Sequence, residues 1–134
     1  MRRDWDTVKM ILTKLEELPD SSSTLELFDF YFDEEVNPDD GFYDLDNRIS
    51  YHMALLIEEG LVVGTMDGHV SINARNFKAV RLTSAGHDFL ESIRHDTVLN
   101  KLKETCISKG SDMPFETIKT LVAAALASIL GLSA

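Results

Sequence analysis

The sequence predicts an α+β fold, a winged helix-turn-helix-like domain with a two-helix C-terminal extension. A helical stretch that begins at Tyr51 ends at Gly60 and leads directly into the apolar strand 61–63. A return strand, 80–83, then opens a second helix at Ser84. Helix, glycine stop, hairpin and helix in this order are typical of a winged helix-turn-helix domain. The chain is 134 residues long and 44% hydrophobic, which is enough for one sizeable core.

The first helix is predicted between Asp4, a plausible N-cap, and Pro19, which stops the pattern. Its apolar residues recur at helical spacing and define a core-facing side. They are Val8, Ile11, Leu12, Leu15 and Leu18.

A strand is predicted over residues 25–32. This run is short and rich in apolar and aromatic β-formers, and turn-forming residues bound it at 20–23 and 37–41. We therefore expect it to add an extended segment before the second long helix.

The second long helix is predicted to start near Asp46, whose side chain can cap it. Its apolar face carries Ile49, Met53, Leu56 and Ile57, and Gly60 suits the left-handed residue after its end.

A hairpin follows the second long helix. Residues 61–66 form its first strand, Asp67-Gly68 make a tight turn, and 69–72 follow as the second strand. Residues 73–77 then extend the wing before 78–82 pair back. Thr83 is the predicted N-cap of the next helix, whose Phe89, Leu90 and Ile93 face the core.

Two further helices are predicted at the C-terminus. One begins at Asp96-Thr97 and ends near Gly110, with Val98, Leu99, Leu102 and Ile107 as its apolar residues. The last has Pro114 near its first turn, where the missing N–H costs nothing. This divides the chain into a winged-helix-like domain, 1–95, with an acidic insertion at about 19–46, and a helical extension, 96–134.

The last helix is uncharged from Thr120 to Leu132. Thirteen residues fall short of the roughly twenty that span a bilayer, so no membrane partner is expected. Ala123, Ala127 and Gly131 recur every four residues and form a small-residue face. This face either packs on its own domain or joins two copies in a homodimer.

The charge is distributed unevenly. The net charge is −10, and residues 16–46 hold twelve acidic residues with no lysine or arginine. Residues 61–134 hold eight Lys or Arg against seven Asp or Glu. Because Lys and Arg neutralise phosphate, any contact with nucleic acid is expected from this second half.

Few residues suggest catalysis. The single cysteine, Cys106, excludes an internal disulfide framework and favours a reducing, cytoplasmic location. His87, Glu91 and His95 share helical spacing, but spacing alone is weak evidence for a metal, and a structural role is favoured. No glycine-rich phosphate loop or paired nucleophile and base is present in the sequence, so we expect neither enzyme activity, cofactor nor metal.

A set of dispersed motifs spans most of the chain. It comprises Arg3-Asp4-Trp5-Asp6, Tyr51-His52, Leu55-Leu56, Gly60-Leu61, Arg81-Leu82-Thr83, Gly86-His87, Phe89-Leu90, Asp96-Thr97-Val98, Asn100-Lys101, Phe115-Glu116 and Ile118-Lys119. With these motifs the chain resembles an uncharacterised bacterial and phage family of small winged-helix proteins, a domain of unknown function common in prophages and mobile elements. The resemblance implies the fold and carries no biochemical role. The acidic insertion between Leu18 and Asp46 departs from an ordinary helix-turn-helix, because it replaces the short second helix.

Two functions are open at this point. The first is a transcriptional regulator that binds double-stranded DNA. Its expected DNA contacts are Asn47, Arg48, Tyr51 and His52 on the helix and His69, Arg75, Lys78 and Arg81 on the hairpin. For His52 the alternative is a packed aromatic, and packing is the favoured interpretation. The second is an acidic interaction module or phage-encoded inhibitor that resembles DNA in its charge and binds a basic protein. Its expected surface is Glu26, Asp29, Asp33, Glu34, Glu35, Asp39, Asp40 and Asp44.

Overall fold

The computed structural model describes residues 2–30, 41–70, 74–109 and 113–131. In these residues five α-helices, one short 3-10 helix and a two-stranded antiparallel sheet surround a shared core. The elements are α1 (Trp5–Glu16), the 3-10 helix (Leu27–Phe30), α2 (Gly41–Glu58), β1 (Val62–His69), β2 (Arg75–Leu82), α3 (Ser84–Ile93), α4 (Asp96–Lys109) and α5 (Phe115–Ile129). The predicted α+β class is confirmed.

Helix α1 lies where the sequence predicts it. Asp4 occupies the N-cap position in an extended conformation, but its carboxylate accepts from the Thr7 hydroxyl (2.5 Å) and caps no backbone N–H. The predicted apolar face is buried at Val8, Ile11, Leu12 and Leu15, while Leu18, beyond the helix, is half-buried.

The strand predicted over 25–32 is wrong in the residues that the structure describes, 25–30. Leu25 makes one isolated bridge to Ala79, with backbone hydrogen bonds of 2.8 and 2.9 Å, and the chain then enters the 3-10 helix. The Asp29 carboxylate accepts from the Glu26 backbone N–H (2.8 Å), and such local bonds compete with strand pairing. The turn buries Leu27 and Phe30 but leaves Phe28 51% exposed.

Helix α2 begins at Gly41, earlier than predicted. Asp46 therefore lies inside the helix and is not its cap, and most of the predicted turn at 37–41 lies outside the described residues. The predicted apolar face is buried at Ile49, Met53 and Leu56, with Ile57 half-buried. Gly60 follows the helix with a φ of 76°, as its position predicts.

The hairpin is longer in its first strand than predicted. Asp67-Gly68 do not form the predicted turn, because β1 continues to His69. The register shifts between Met66 and His69, so Asp67 and Gly68 lie in a β-bulge of the strand. A second irregularity, between Val63 and Gly64, leaves Val80 of β2 without a partner in the register. The connection between the strands includes residues 71–73, outside the described part of the chain.

Helix α3 packs directly on the chain that leads into the hairpin. The Thr83 hydroxyl accepts from the Gly86 N–H (2.9 Å), so the predicted N-cap is confirmed. A Cβ on Gly86 would lie only 2.0 Å from the Leu61 carbonyl oxygen. Glycine therefore permits the close approach of α3.

The two C-terminal helices begin where the sequence predicts. Their buried residues Val98, Leu99, Leu102, Ile118 and Val122 belong to the same core cluster as the apolar faces of α1 and α3. Ile107 differs from the prediction, because it is 78% exposed on the outer side of α4. Among the described residues no helix has the length and apolar character needed to cross a membrane.

Candidate nucleic-acid interface

The hairpin presents a group of exposed basic side chains. We call His69, Arg75, Lys78 and Arg81, all exposed, the basic hairpin surface. The register sets Val63 opposite Arg81, Thr65 opposite Lys78 and His69 opposite Arg75. The inward side chains of β2, Phe77, Ala79 and Leu82, are buried and anchor the strand to the core.

Acidic residues lie near this surface, since Glu16 and Asp20 line a cleft together with Arg81. Asp67 is the one acidic residue within the two strands, and Arg75 contacts its backbone carbonyl through Nε (2.8 Å). Within the described ranges no carboxylate forms an ion pair with Arg75, Lys78 or Arg81. In the described part of the chain the two strands thus hold three Lys or Arg without ion pairs against one acidic residue.

Cations elsewhere in the fold are paired differently. Arg94 binds both Glu16 and Glu91, Lys103 binds Asp6 at 2.8 Å, and Lys119 binds Glu116 at 3.2 Å. Exposed Lys101 on α4 also forms no ion pair among the described residues, so the hairpin differs in holding three such cations on one strand.

Helix α2 is joined to the hairpin by a buried serine. The Ser50 hydroxyl accepts from the Arg75 backbone N–H at 2.9 Å. Within one helical turn of Ser50 on α2, Tyr51 is exposed, while Asn47 and Arg48 are half-buried. Ser50 is not among the residues predicted from the sequence, although a small polar residue between the core positions Ile49 and Met53 is a signal of a buried contact.

Asn47 and Arg48 are half-buried, so only their exposed atoms can contact a ligand. Asn47 Oδ1 and Arg48 Nε are buried and have no hydrogen-bond partner among the described residues. The Arg48 carbonyl oxygen lies 2.6 Å from His52 Nδ1, within hydrogen-bond distance.

His52 does not lie on the surface as a DNA contact requires. It is 1% exposed. Its Nε2 accepts from the Asp4 backbone N–H (2.7 Å), and its Nδ1 must donate, because the Arg48 carbonyl can only accept. Burial lowers the pKa of His52, against opposing effects from the Arg48 hydrogen bond and the Asp4 charge. His52 therefore holds the start of α1 against α2, as the favoured packing interpretation predicts, and the alternative of an exposed DNA contact is wrong.

The acidic surface is described only in part. Of its eight predicted residues, half-buried Glu26 precedes the 3-10 helix and half-buried Asp29 lies within it, where the Asp29 carboxylate accepts from the Glu26 backbone N–H. Asp33, Glu34, Glu35, Asp39 and Asp40 lie outside the described residues, and the side chain of Asp44 does too.

The remaining predicted positions lie on or just after α3 and α5, and His87 lines a cleft together with Arg81 of the hairpin. His87 and Glu91 are exposed on α3, and His95 follows the end of that helix. In the described ranges no three His, Cys, Asp or Glu side chains are grouped to hold a metal ion. On α5, Ala123 is exposed and Ala127 half-buried, and the exposed Gly131 follows the helix with a φ of 69°. Dimerisation through this face stays a prediction.

Fold and site together define a small α+β protein with a five-helix body and an exposed basic hairpin. The family described as "Hypothetical protein (DUF2513)" matches residues 2–112, and the chain belongs to this family. A relative from Haemophilus influenzae, described as "Uncharacterized protein", is 34% identical over 131 residues, which cover 97% of this chain and 99% of the relative. No solved structure matches the chain.

Proposed function

We propose that this protein is a winged-helix DNA-binding transcriptional regulator of a phage or mobile-element type, with the hairpin as its wing. The observation that carries the proposal is the basic hairpin surface, in which Arg75, Lys78 and Arg81 are exposed without ion pairs among the described residues. On an otherwise acidic chain this is where a polyanion meets favourable charge.

The hairpin and α2 have separate tasks in this proposal. The cations of the hairpin bind backbone phosphates, which positions the protein on the duplex without reading its sequence. Tyr51, with the exposed portions of Asn47 and Arg48, contacts base edges from α2. The Ser50–Arg75 hydrogen bond supports this division, because it keeps the helix and the wing in one orientation.

A salt-dependent titration tests the proposal. Fluorescence anisotropy of a labelled random duplex is measured across salt concentrations of roughly 50 to 300 mM, where phosphate contacts weaken steeply. We expect wild-type protein to bind and the variant R75A/K78A/R81A to lose most of the affinity. Removing three phosphate contacts should also flatten the slope of log K against log salt by about 2.7.

A matched variant separates local contacts from net charge. R94A/K101A/K119A removes the same number of positive charges from exposed positions away from the hairpin. We expect it to retain nearly wild-type affinity. Equal losses in both triple variants, or no binding by wild-type protein at low salt, would contradict the proposed wing.

The acidic interaction module is the second candidate. It is favoured by the twelve acidic residues of 16–46, a stretch with no lysine or arginine, which repels DNA and attracts a basic protein. Its signature is absence of DNA binding together with salt-sensitive retention on a polylysine surface. E26Q/D29N, which removes two of these charges, should weaken that retention.

A further inference from the structure

A cleft of about 380 Å³ lies between the end of β2 and the end of α1 with the loop that follows it. The start of α3 borders the same cleft through His87. Its volume is within the range of sites that bind small organic molecules. The side chains that line it decide which class of molecule it fits.

Part of the cleft is apolar. The half-buried side chains of Leu18 and Val80 line it together with the buried Leu15 and Leu82. Half-buried apolar side chains leave apolar surface in contact with water, and the aliphatic body of a ligand would cover that surface.

Arg81 and Asp20 bring opposite charges to this cleft. Both are exposed, and neither forms an ion pair among the described residues, with the other or with a third side chain. Arg81 Nη1 donates to the Leu82 carbonyl oxygen at 3.1 Å, which holds the guanidinium beside a residue that lines the cleft. Asp20 Oδ1 accepts from the backbone N–H groups of Ser22 and Ser23, at 2.9 and 3.1 Å. The two opposite charges are thus held in place at one cleft without contacting each other.

The other polar side chains of the cleft leave one unpaired group of each sign. Glu16 lines the cleft but already has a cationic partner in Arg94. Hydrogen bonds from the neighbouring serines, above all from the Ser22 hydroxyl, lower the pKa of Asp20, so its side chain is a carboxylate at neutral pH. The exposed imidazole of His87 can donate or accept a hydrogen bond. A matching ligand therefore carries one positive group, one negative group and a short aliphatic body.

We propose that this cleft binds a small aliphatic amino acid. Its carboxylate contacts Arg81, its ammonium group contacts Asp20, and its side chain packs on Leu18 and Val80. A simple acid or a simple amine would satisfy only one of the two charges. The site shares Arg81 with the basic hairpin surface, but its test measures the binding of the amino acid alone and does not depend on DNA binding.

A titration with L-leucine, followed by two-dimensional amide NMR spectra of isotope-labelled protein, tests the proposal. We expect saturable shifts of the backbone signals of Asp20, Ser21, Arg81 and His87, with a Kd on the order of 1 mM. These four residues line the cleft, so the position of the shifts separates binding there from binding elsewhere. No saturable shift of these signals would overturn the proposal.

Three analogues each lack one part of the ligand. Isopentylamine lacks the carboxylate, 4-methylpentanoate lacks the ammonium group, and glycine lacks the aliphatic body. We expect each to bind roughly tenfold more weakly than leucine or worse, because each leaves one part of the cleft without its contact. If either singly charged analogue bound as tightly as leucine, the cleft would not be a site for a zwitterion.

Two variants test the charged contacts. Arg81→Gln and Asp20→Asn each remove one charge and keep a polar side chain. The amide oxygen of the new asparagine can still accept from the Ser22 and Ser23 N–H groups, so the loop keeps its hydrogen bonds. We expect the Kd for leucine to rise about tenfold in each variant, as for a lost hydrogen bond to a charged group.

Lys78→Gln and Glu104→Gln are the matched controls. Each removes a charge of the same sign from an exposed residue that does not line the cleft. We expect both controls to bind leucine as the wild type does. If the cleft variants and their controls bind leucine with the same affinity, the proposed contacts are wrong.

Discussion

The backbone N–H of Arg75 and the hydroxyl of Ser50, separated by 2.9 Å, join the start of β2 to the middle of α2. Ser50 is buried, so its hydroxyl is held in a fixed position among core residues. The most exposed part of the hairpin is therefore attached to the helix body through a defined polar contact, in addition to the apolar packing of β2.

Ser50→Ala should lower the free energy of unfolding by about 1 kcal/mol, because the Arg75 N–H loses its acceptor. Urea denaturation followed by circular dichroism measures the change. Ser128→Ala, at an exposed position of α5, is the control and should have little effect. Similar losses in both variants would mean that the Ser50 contact contributes nothing specific.

Stability should fall below neutral pH because of His52. Burial lowers the pKa of His52 in the folded protein below the value of 6.5 for an ordinary histidine, so the unfolded chain binds the proton more readily. The contribution is fully present above pH 6.5 and is lost progressively as the pH falls from 6.5 toward the folded-state pKa. A protonated Nε2 would also face the Asp4 N–H, donor against donor.

Urea unfolding at a series of pH values measures this effect. His52→Gln should lose the part of the pH dependence just below pH 6.5, whereas His87→Gln, at an exposed position, should keep it. An unchanged profile in His52→Gln would contradict the assigned role of His52.

Gly86→Ala should destabilise the fold by about 1 to 3 kcal/mol or more, because overpacking displaces the backbone. The added Cβ would lie 2.0 Å from the Leu61 carbonyl oxygen, so α3 must move away from that chain segment. Gly68→Ala is a matched control, since a Cβ there meets nothing within 4 Å. Thermal unfolding compares the Tm of the two variants. A wild-type Tm for Gly86→Ala would show that stability does not require the close approach of α3 to Leu61.

Asn76→Ala should cost about 1 kcal/mol of unfolding free energy, because the Leu27 N–H loses its acceptor. Asn76 Oδ1 accepts that N–H at 3.1 Å and ties the 3-10 helix to β2. Asn100→Ala, at an exposed position of α4, serves as the control in the same urea titration. If Asn100→Ala lowered the free energy of unfolding and Asn76→Ala did not, the assigned role of the Asn76–Leu27 hydrogen bond would be wrong.

Much of the helical structure is predictable from sequence because its signals are local. Apolar spacing locates the buried faces of α1 and α2, and the stop at Gly60 and the cap at Thr83 mark element ends. Each of these signals depends on residues within a few positions of one another.

The errors arise where distant or competing contacts decide the conformation. The aromatic run after Leu25 has strand composition, yet the Asp29–Glu26 hydrogen bond closes it into a 3-10 turn. Asp67-Gly68 has turn composition, yet pairing with β2 carries it through a bulge.

For the sites, the sequence by itself determined which residue types are present, the positive charges of the hairpin and the excess of acid before it. Only the tertiary structure decided which of these side chains are exposed and which have hydrogen-bond partners. It buries His52 against Asp4 and leaves the buried Trp5 N–H without a hydrogen-bond partner among the described residues. Burial and hydrogen bonding between residues far apart in the chain depend on how the helices pack, and no local pattern specifies that packing.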